Sequence, residues 1–276
     1  MFFRSAPVPR VSGTYHFQWR SAAPHNTEHN DSFIRMTGPS LEIKSGGGSP
    51  CNTGDWLKVF NNAGGVAAGE TVGCGVVAGS RIRRVIVAPE CQGRGLGGRL
   101  MEILESKALV NHLPLAHLHA SLPAKAFYDR RGYLTLCEKS VGLDSGDSLD
   151  YFLMAKPLRS LGAPSVSLDG RRFRVVRNDG PGAEVGPRTR FAFRQTGAIV
   201  SGEYRGGDIA EGELVGWIEG RTLRFHYEQV NERGEKNSGN ARDVIETTPD
   251  GALRLIDRWQ WESRSGRGEC ILEETL

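Results

Sequence analysis

The chain has 276 residues, of which 38% are hydrophobic, with a formal net charge of +3 and a pI near 8.6. That length suits one large domain or two small ones, and the apolar share can build a core. The charge is too slight to argue for nucleic acid. The five cysteines (Cys51, Cys74, Cys91, Cys137 and Cys270) are scattered and form no CxxC pair, so reduced thiols in a cytoplasmic protein are expected, with no metal site. No apolar run reaches the ~18 residues of a membrane span.

In chain order, residues 1–55 are rich in Ser, Gly, Pro and Asn and read as a loop-rich N-terminal segment. Residues 56–158 mix strand and helix patterns. "VAAGETVGCGVV" at 66–77 reads as two strands joined at Gly69-Glu70, and "RIRRVIVAP" at 81–89 as a strand ended by Pro89. The glycine-rich "ECQGRGLGGRL" at 90–100 follows. From Leu96 the apolar residues Leu96, Leu100, Ile103, Leu104 and Ala108 recur at helical spacing. "LPLAHLHA" at 113–120 predicts a strand. "SLPAKAFYDRRG" predicts a helix with Ser121 as N-cap and Gly132 as its stop. Strands at 133–142 and 149–156 complete this part. Residues 159–170 read as a linker. Over 171–276 short alternating strands follow one another: "RRFRVV", "TRFAFRQ", "AIVSGEY", "GELVGWI", "TLRFHYEQV", "NSGNARDVIETT", "ALRLIDRWQW" and "GECILEE". About eight antiparallel strands in so short a span predict a small closed barrel, which removes exposed edges. Trp259 and Trp261 are expected in its core or, alternatively, in a ligand pocket. Glu203, Arg224, His226, Glu228 and Arg258 are expected on a solvated face.

The glycine stretch poses the functional question, because backbone N–H groups at a helix start attract phosphate. A Walker loop is excluded, since no Lys-Ser or Lys-Thr follows the glycines. Gly93, Gly95 and Gly98 match GxGxxG formally. However, "APECQ" separates strand from glycine, and no ribose-binding acid stands about 20 residues further on. The order strand, "APECQGRGLG", amphipathic helix, strand, "SLPAKAFYDRRGY" resembles the GNAT N-acetyltransferase superfamily over about 60–158. Its Q/R-x-x-G-x-G/A signature is met by Gln92, Gly93, Arg94, Gly95, Leu96 and Gly97.

The resemblance implies an α+β fold, a mixed sheet with flanking helices, ahead of the barrel. It implies acetyl-CoA as cosubstrate and a small-molecule amine as acceptor, with neither nucleic acid nor membrane as partner and a homodimer as one option. Val85, Ile86 and Val87 would meet the pantetheine arm, and Gln92–Gly98, Gly98 included, the pyrophosphate. Tyr128 matches the family's proton donor to the leaving thiolate. The reaction would be direct attack of the amine on the thioester. Glu90 and Glu138 are the nearest carboxylates for a general base, with a water chain as the alternative. His117 and His119 share a strand face and lack a third metal ligand in the sequence.

The family normally begins with a strand and helices that shape the acceptor side, and residues 1–58 carry little of that pattern. Either the cap is atypical, or acetyl-CoA binds without turnover. The 171–276 part resembles small bacterial barrel proteins through "YRGGDIAEGELVG", "YEQVNERGEKNSG" and "RWQWES". Some of these carry an N-acetylglutamate synthase label, which sets one specific substrate reading. A ligand-binding barrel with a vestigial acetyltransferase domain is the remaining alternative.

Overall fold

The computed structural model describes residues 55–61, 70–142 and 147–275, so the loop-rich segment up to residue 54 and the turn expected at Gly69 lie outside the described residues. The chain divides into two compact units, residues 1–78 with 82–107 and residues 79–81 with 108–276. The fold is α+β: a mixed sheet with few helices and a closed eight-strand antiparallel barrel.

In the first unit β1 (Asp55–Asn61) pairs antiparallel with β2 (Glu70–Ala78), from Asp55↔Val77 to Asn61↔Glu70. β3 (Arg81–Val87) follows β2. Pro89 stops it, opening a 3₁₀ turn over Pro89–Cys91. Helix α1 (Leu96–Val110) then presents Leu100, Met101 and Leu104 to the core, all fully buried. It lies so close over β2 that a Cβ at Gly75 would stand 2.7 Å from Leu104 Cδ1.

In the second unit Arg81, the first residue of β3, pairs parallel with His117 of β4 (Leu115–Ser121). β4 pairs antiparallel with β6 (Ser148–Pro157), and β6 with β5 (Leu134–Gly142). The helix expected after β4 is a 3₁₀ turn over Leu122–Ala124 leading into a short α2 (Lys125–Asp129). Ser121 stands at the N-cap position of the 3₁₀ turn and also ends β4, paired with Tyr151, but its side chain makes no capping bond, and α2 itself starts after Ala124. Gly132 does stop the helix. It adopts φ +82°, its N–H donates to the Asp129 carbonyl, and the Tyr133 N–H donates to the Tyr128 carbonyl, the paired bonds of a left-handed C-cap.

The barrel runs β7 (Arg172–Asp179), β8 (Arg190–Thr196), β9 (Ile199–Gly206), β10 (Ile209–Glu219), β11 (Thr222–Asn231), β12 (Lys236–Thr247), β13 (Leu253–Trp261) and β14 (Arg267–Glu274). Each strand pairs with the next, and β14 closes onto β7. Alternate residues fill it: Phe173, Phe193, Leu214, Phe225, Ile245, Leu255, Trp259 and Trp261 share one core. The segment ahead of β7 is tied down. Leu168 is fully buried in that core, and Pro164 bridges Gly220. On the outer face of β10, Val215 and Trp217 pack against Leu115, Leu153 and Ala155.

Candidate functional site

The glycine loop is built from β3 outward. Arg84 takes φ +55°, a left-handed turn inside a strand that a side chain rarely adopts, so β3 is not a regular ladder. Beyond it Val85 and Val87 are half-buried and Ile86 is exposed. The Gln92 side chain folds back, its Nε2 donating to the Val87 carbonyl at 2.9 Å, which pins the loop to the end of the strand. Gly93 and Gly95 adopt φ +72° and +81°, and a Cβ on either would meet none of the described residues within 4 Å. Their glycine identity therefore answers to backbone conformation and open space, not to crowding by the protein. Arg94 is exposed and Leu96 is buried. The Arg99 N–H donates to the Gly95 carbonyl, so α1 starts here with Gly97 and Gly98 in its first turn. The N–H groups of that turn precede any intrahelical acceptor, and no acidic side chain occupies it. An anion is the natural partner.

Tyr128 lies in the other unit, on α2. It is buried, its ring set edge-on to Phe127 and Tyr133. Burial pushes its phenol up to about 12. Glu138 is exposed, and Glu90 begins the glycine stretch with its side chain outside the described residues. Cys137 and Cys270 are free thiols.

The two histidines of β4 are tied into the barrel. His117 is buried, with Ser80 Oγ 3.1 Å from its Nδ1. Burial first, then the neighbouring His226 and Arg81, hold it well below its usual value, hence neutral. Arg81 donates to His119 Nδ1 at 3.0 Å, so the opposite nitrogen carries the proton and donates to Glu213 Oε1 at 2.7 Å. Lys139 of β5 reaches Glu213 at 2.5 Å and Glu203 at 3.2 Å, and Arg81 also pairs with Glu228. Burial alone would raise Glu213, but His119 and then Lys139 outweigh it and hold the carboxyl at about 2. The expected solvated face is thus partly buried: His226 is covered, with Nδ1 3.1 Å from Glu262. Sequence reasoning missed Glu213 because its neighbours come from β4 and β5, remote in the chain. Among the described residues no group of His, Cys, Asp and Glu is placed to hold a metal.

Inside the barrel, Asp243 and Asp257 stand directly opposite each other on β12 and β13. Burial raises both well above the usual carboxylate range, Asp257 to about 7, and the carboxyls share a hydrogen bond. Asp257, Tyr204, Tyr227, Gln229, Trp259 and Trp261 line a small internal cavity of about 40 Å³.

A strand with a break, a glycine loop and an amphipathic helix belong to the mixed sheet, and the closed meander forms a separate barrel. Residues 59–134 match the family model of the acetyltransferase (GNAT) domain, and residues 166–275 that of the avidin-like proteins. The first part of the chain is thus similar to GNAT acetyltransferase domains, and the closed barrel to avidin-like proteins. Among solved structures it is similar to a GCN5-related N-acetyltransferase from Rhodopseudomonas palustris (27% identity, TM-score 0.32, covering 37% of this chain and 61% of that one). It is also similar to a GNAT family acetyltransferase from Elizabethkingia anophelis with acetyl-CoA bound (16% identity, TM-score 0.31, covering 38% and 76%). The chain thus spans about six tenths of the Rhodopseudomonas palustris protein. No curated protein matches it. No helix among the described residues is long and apolar enough to cross a membrane.

Proposed function

We propose that the protein transfers the acetyl group of acetyl-CoA to an amine of a small molecule, with residues 56–158 as the transferase domain, 159–170 as the connection and 171–276 as the barrel. The observation that carries this reading is the open glycine turn. Gly93 and Gly95 hold left-handed backbone, with no described residue within 4 Å of a Cβ placed there, at the start of a 15-residue helix. Backbone N–H groups of Gly93–Gly98, with Gln92 and Arg94 at the edge, would hold the pyrophosphate. Val85, Ile86 and Val87 would border the pantetheine arm. When bound, the coenzyme supplies the activated acyl group, and the chain's own residues orient it for the amine. Tyr128 would protonate the leaving thiolate. Its raised phenol stays protonated through neutral pH, as a donor must, and suits it to this role better than to that of a base. The alternative, a ligand-binding barrel beside an inactive transferase domain, is favoured by the Asp243–Asp257 pair, whose Asp243 Oδ1 and Asp257 Oδ1 are buried without a protein partner.

Thermal unfolding of the full chain with acetyl-CoA, NAD and ATP tests the reading. Acetyl-CoA at about 100-fold over its dissociation constant should stabilise by roughly 2.7 kcal/mol, and Gly95→Glu should abolish that shift. In an amine panel Tyr128→Phe should lower kcat about 100-fold while leaving the acetyl-CoA shift in place. No shift with acetyl-CoA for the wild type would remove the reading. A shift without CoA release for any amine would leave a non-catalytic binder.

A further inference from the structure

A cavity lies outside the barrel, on the outer faces of β10 to β14. It is a groove of about 720 Å³ lined by Gly79, Ser80 and Leu113, by outward-facing side chains that include Arg224, Arg242 and Arg258, and by the apolar Trp217, Phe225 and Trp259 at its floor and end. One row of the sheet crosses it: Trp217, Arg224, Arg242, Arg258 and Glu269 are directly opposite one another on five successive strands. Three guanidinium groups thus stand side by side, and like charges at such positions repel. The chain neutralises them poorly. Arg224 reaches Glu219 at 3.8 Å and Arg258 reaches Glu269 at 3.6 Å. Among the described residues no carboxylate pairs with Arg242, or with Arg267 on the same wall. At the head of the row Trp217 is only 9% exposed, and its buried Nε1–H has no acceptor among the described residues. A donor left so, beside a repelling row, is costly unless something else accepts.

We propose that this groove binds a small organic polyanion, a molecule bearing two or more carboxylate or phosphate groups. Arg224, Arg242 and Arg258 would grip its oxygens in forked pairs, with Trp217 donating at one end. The volume falls in the range of small-molecule sites. Neighbouring strands are about 4.8 Å apart, so the row spans roughly 10 Å, the reach of a dianion and not of one isolated charge. A nucleic-acid backbone fits less well. Glu262, held by His226 and Asn240, and Glu269, held by Arg177, border the groove and would repel a continuous line of phosphates. The proposal does not depend on the acetyltransferase reading.

The test is calorimetric titration and thermal unfolding of the full chain with citrate, with inorganic phosphate and with sodium chloride at matched ionic strength. Citrate should bind and raise the melting temperature beyond the salt control. Stronger binding of citrate than of phosphate identifies a polycarboxylate site, and the reverse order identifies a phosphoryl site. Arg242→Ala should weaken binding at least tenfold while raising the melting temperature of the free protein, because it relieves the repulsion. Trp217→Phe, which keeps the ring and loses the N–H, should weaken binding several-fold. The proposal fails if salt alone reproduces the shift, if neither variant changes the affinity, or if a duplex DNA oligonucleotide binds more tightly than both anions.

Discussion

Glu213 and Asp257 occupy opposite faces of the same barrel wall, and their carboxyls move in opposite directions. Both are largely removed from water, which by itself raises a carboxyl. On the outer face of β10, Glu213 receives the His119 N–H and the Lys139 ammonium and is held at about 2. On the inner face of β13, Asp257 faces a second carboxyl, Asp243, and is raised to about 7. The pair titrates as a unit around one shared proton. The difference teaches that burial sets the stake and the partner decides the sign. It also separates the two sites: Glu213 is fastened by completed ion pairs, and Asp257 faces a second carboxyl instead of a counter-charge.

Three variants can break or sharpen this contrast. The largest effect is expected from Glu213→Gln, which strands the buried Lys139 end of the network. Removing one member of a buried pair costs about 3–5 kcal/mol, and the outward exposure of Glu203 places the expected loss near the lower limit. Because the folded value lies below the ordinary 4.5, this carboxylate contributes stability above that pH and loses it as pH falls toward 2. Urea denaturation from pH 2 to 7 should therefore show a flatter acid limb in the variant. An equal limb would mean that the network is no more than a surface ion pair.

A smaller effect of opposite sign is expected from Asp257→Asn. The folded value lies above the ordinary 3.8, so the wild type loses stability as pH rises from about 4 to about 7. The variant should gain about 1–2 kcal/mol at pH 8 and nothing at pH 4. Destabilisation at both pH values would show that the shared proton holds the barrel together. The smallest effect is expected from Tyr204→Phe, which removes a buried O–H donating to Gln229 at 2.8 Å. It should cost about 1 kcal/mol independent of pH between 4 and 8. A pH-dependent cost would tie Tyr204 to the acidic pair.

Local pattern made much of the fold legible. Pro89 ends β3, the heptad-like run from Leu96 becomes α1, Gly132 stops α2, and the eight alternating segments become the eight strands of the barrel. Each of these rests on a residue's own backbone preference or on a two- or three-residue period, which neighbours in sequence suffice to set. The glycine loop was legible for the same reason, since φ above zero at Gly93 and Gly95 is a local demand. Ser121 took the expected N-cap position, but of a 3₁₀ turn and without a side-chain capping bond, because the strand β4 runs up to it before the turn begins.

What only the tertiary structure decided is which distant side chains share a low-dielectric space. His119, Lys139 and Glu213 lie on three strands, and the meeting that sets the Glu213 charge follows from β4 and β5 resting on the barrel wall. Arg224, Arg242 and Arg258 look like ordinary surface arginines in the sequence, and only strand register makes them neighbours. Periodicity tells a residue which face it occupies. The Coulomb energy of that face depends on the register and closure of the barrel, which the whole chain sets together.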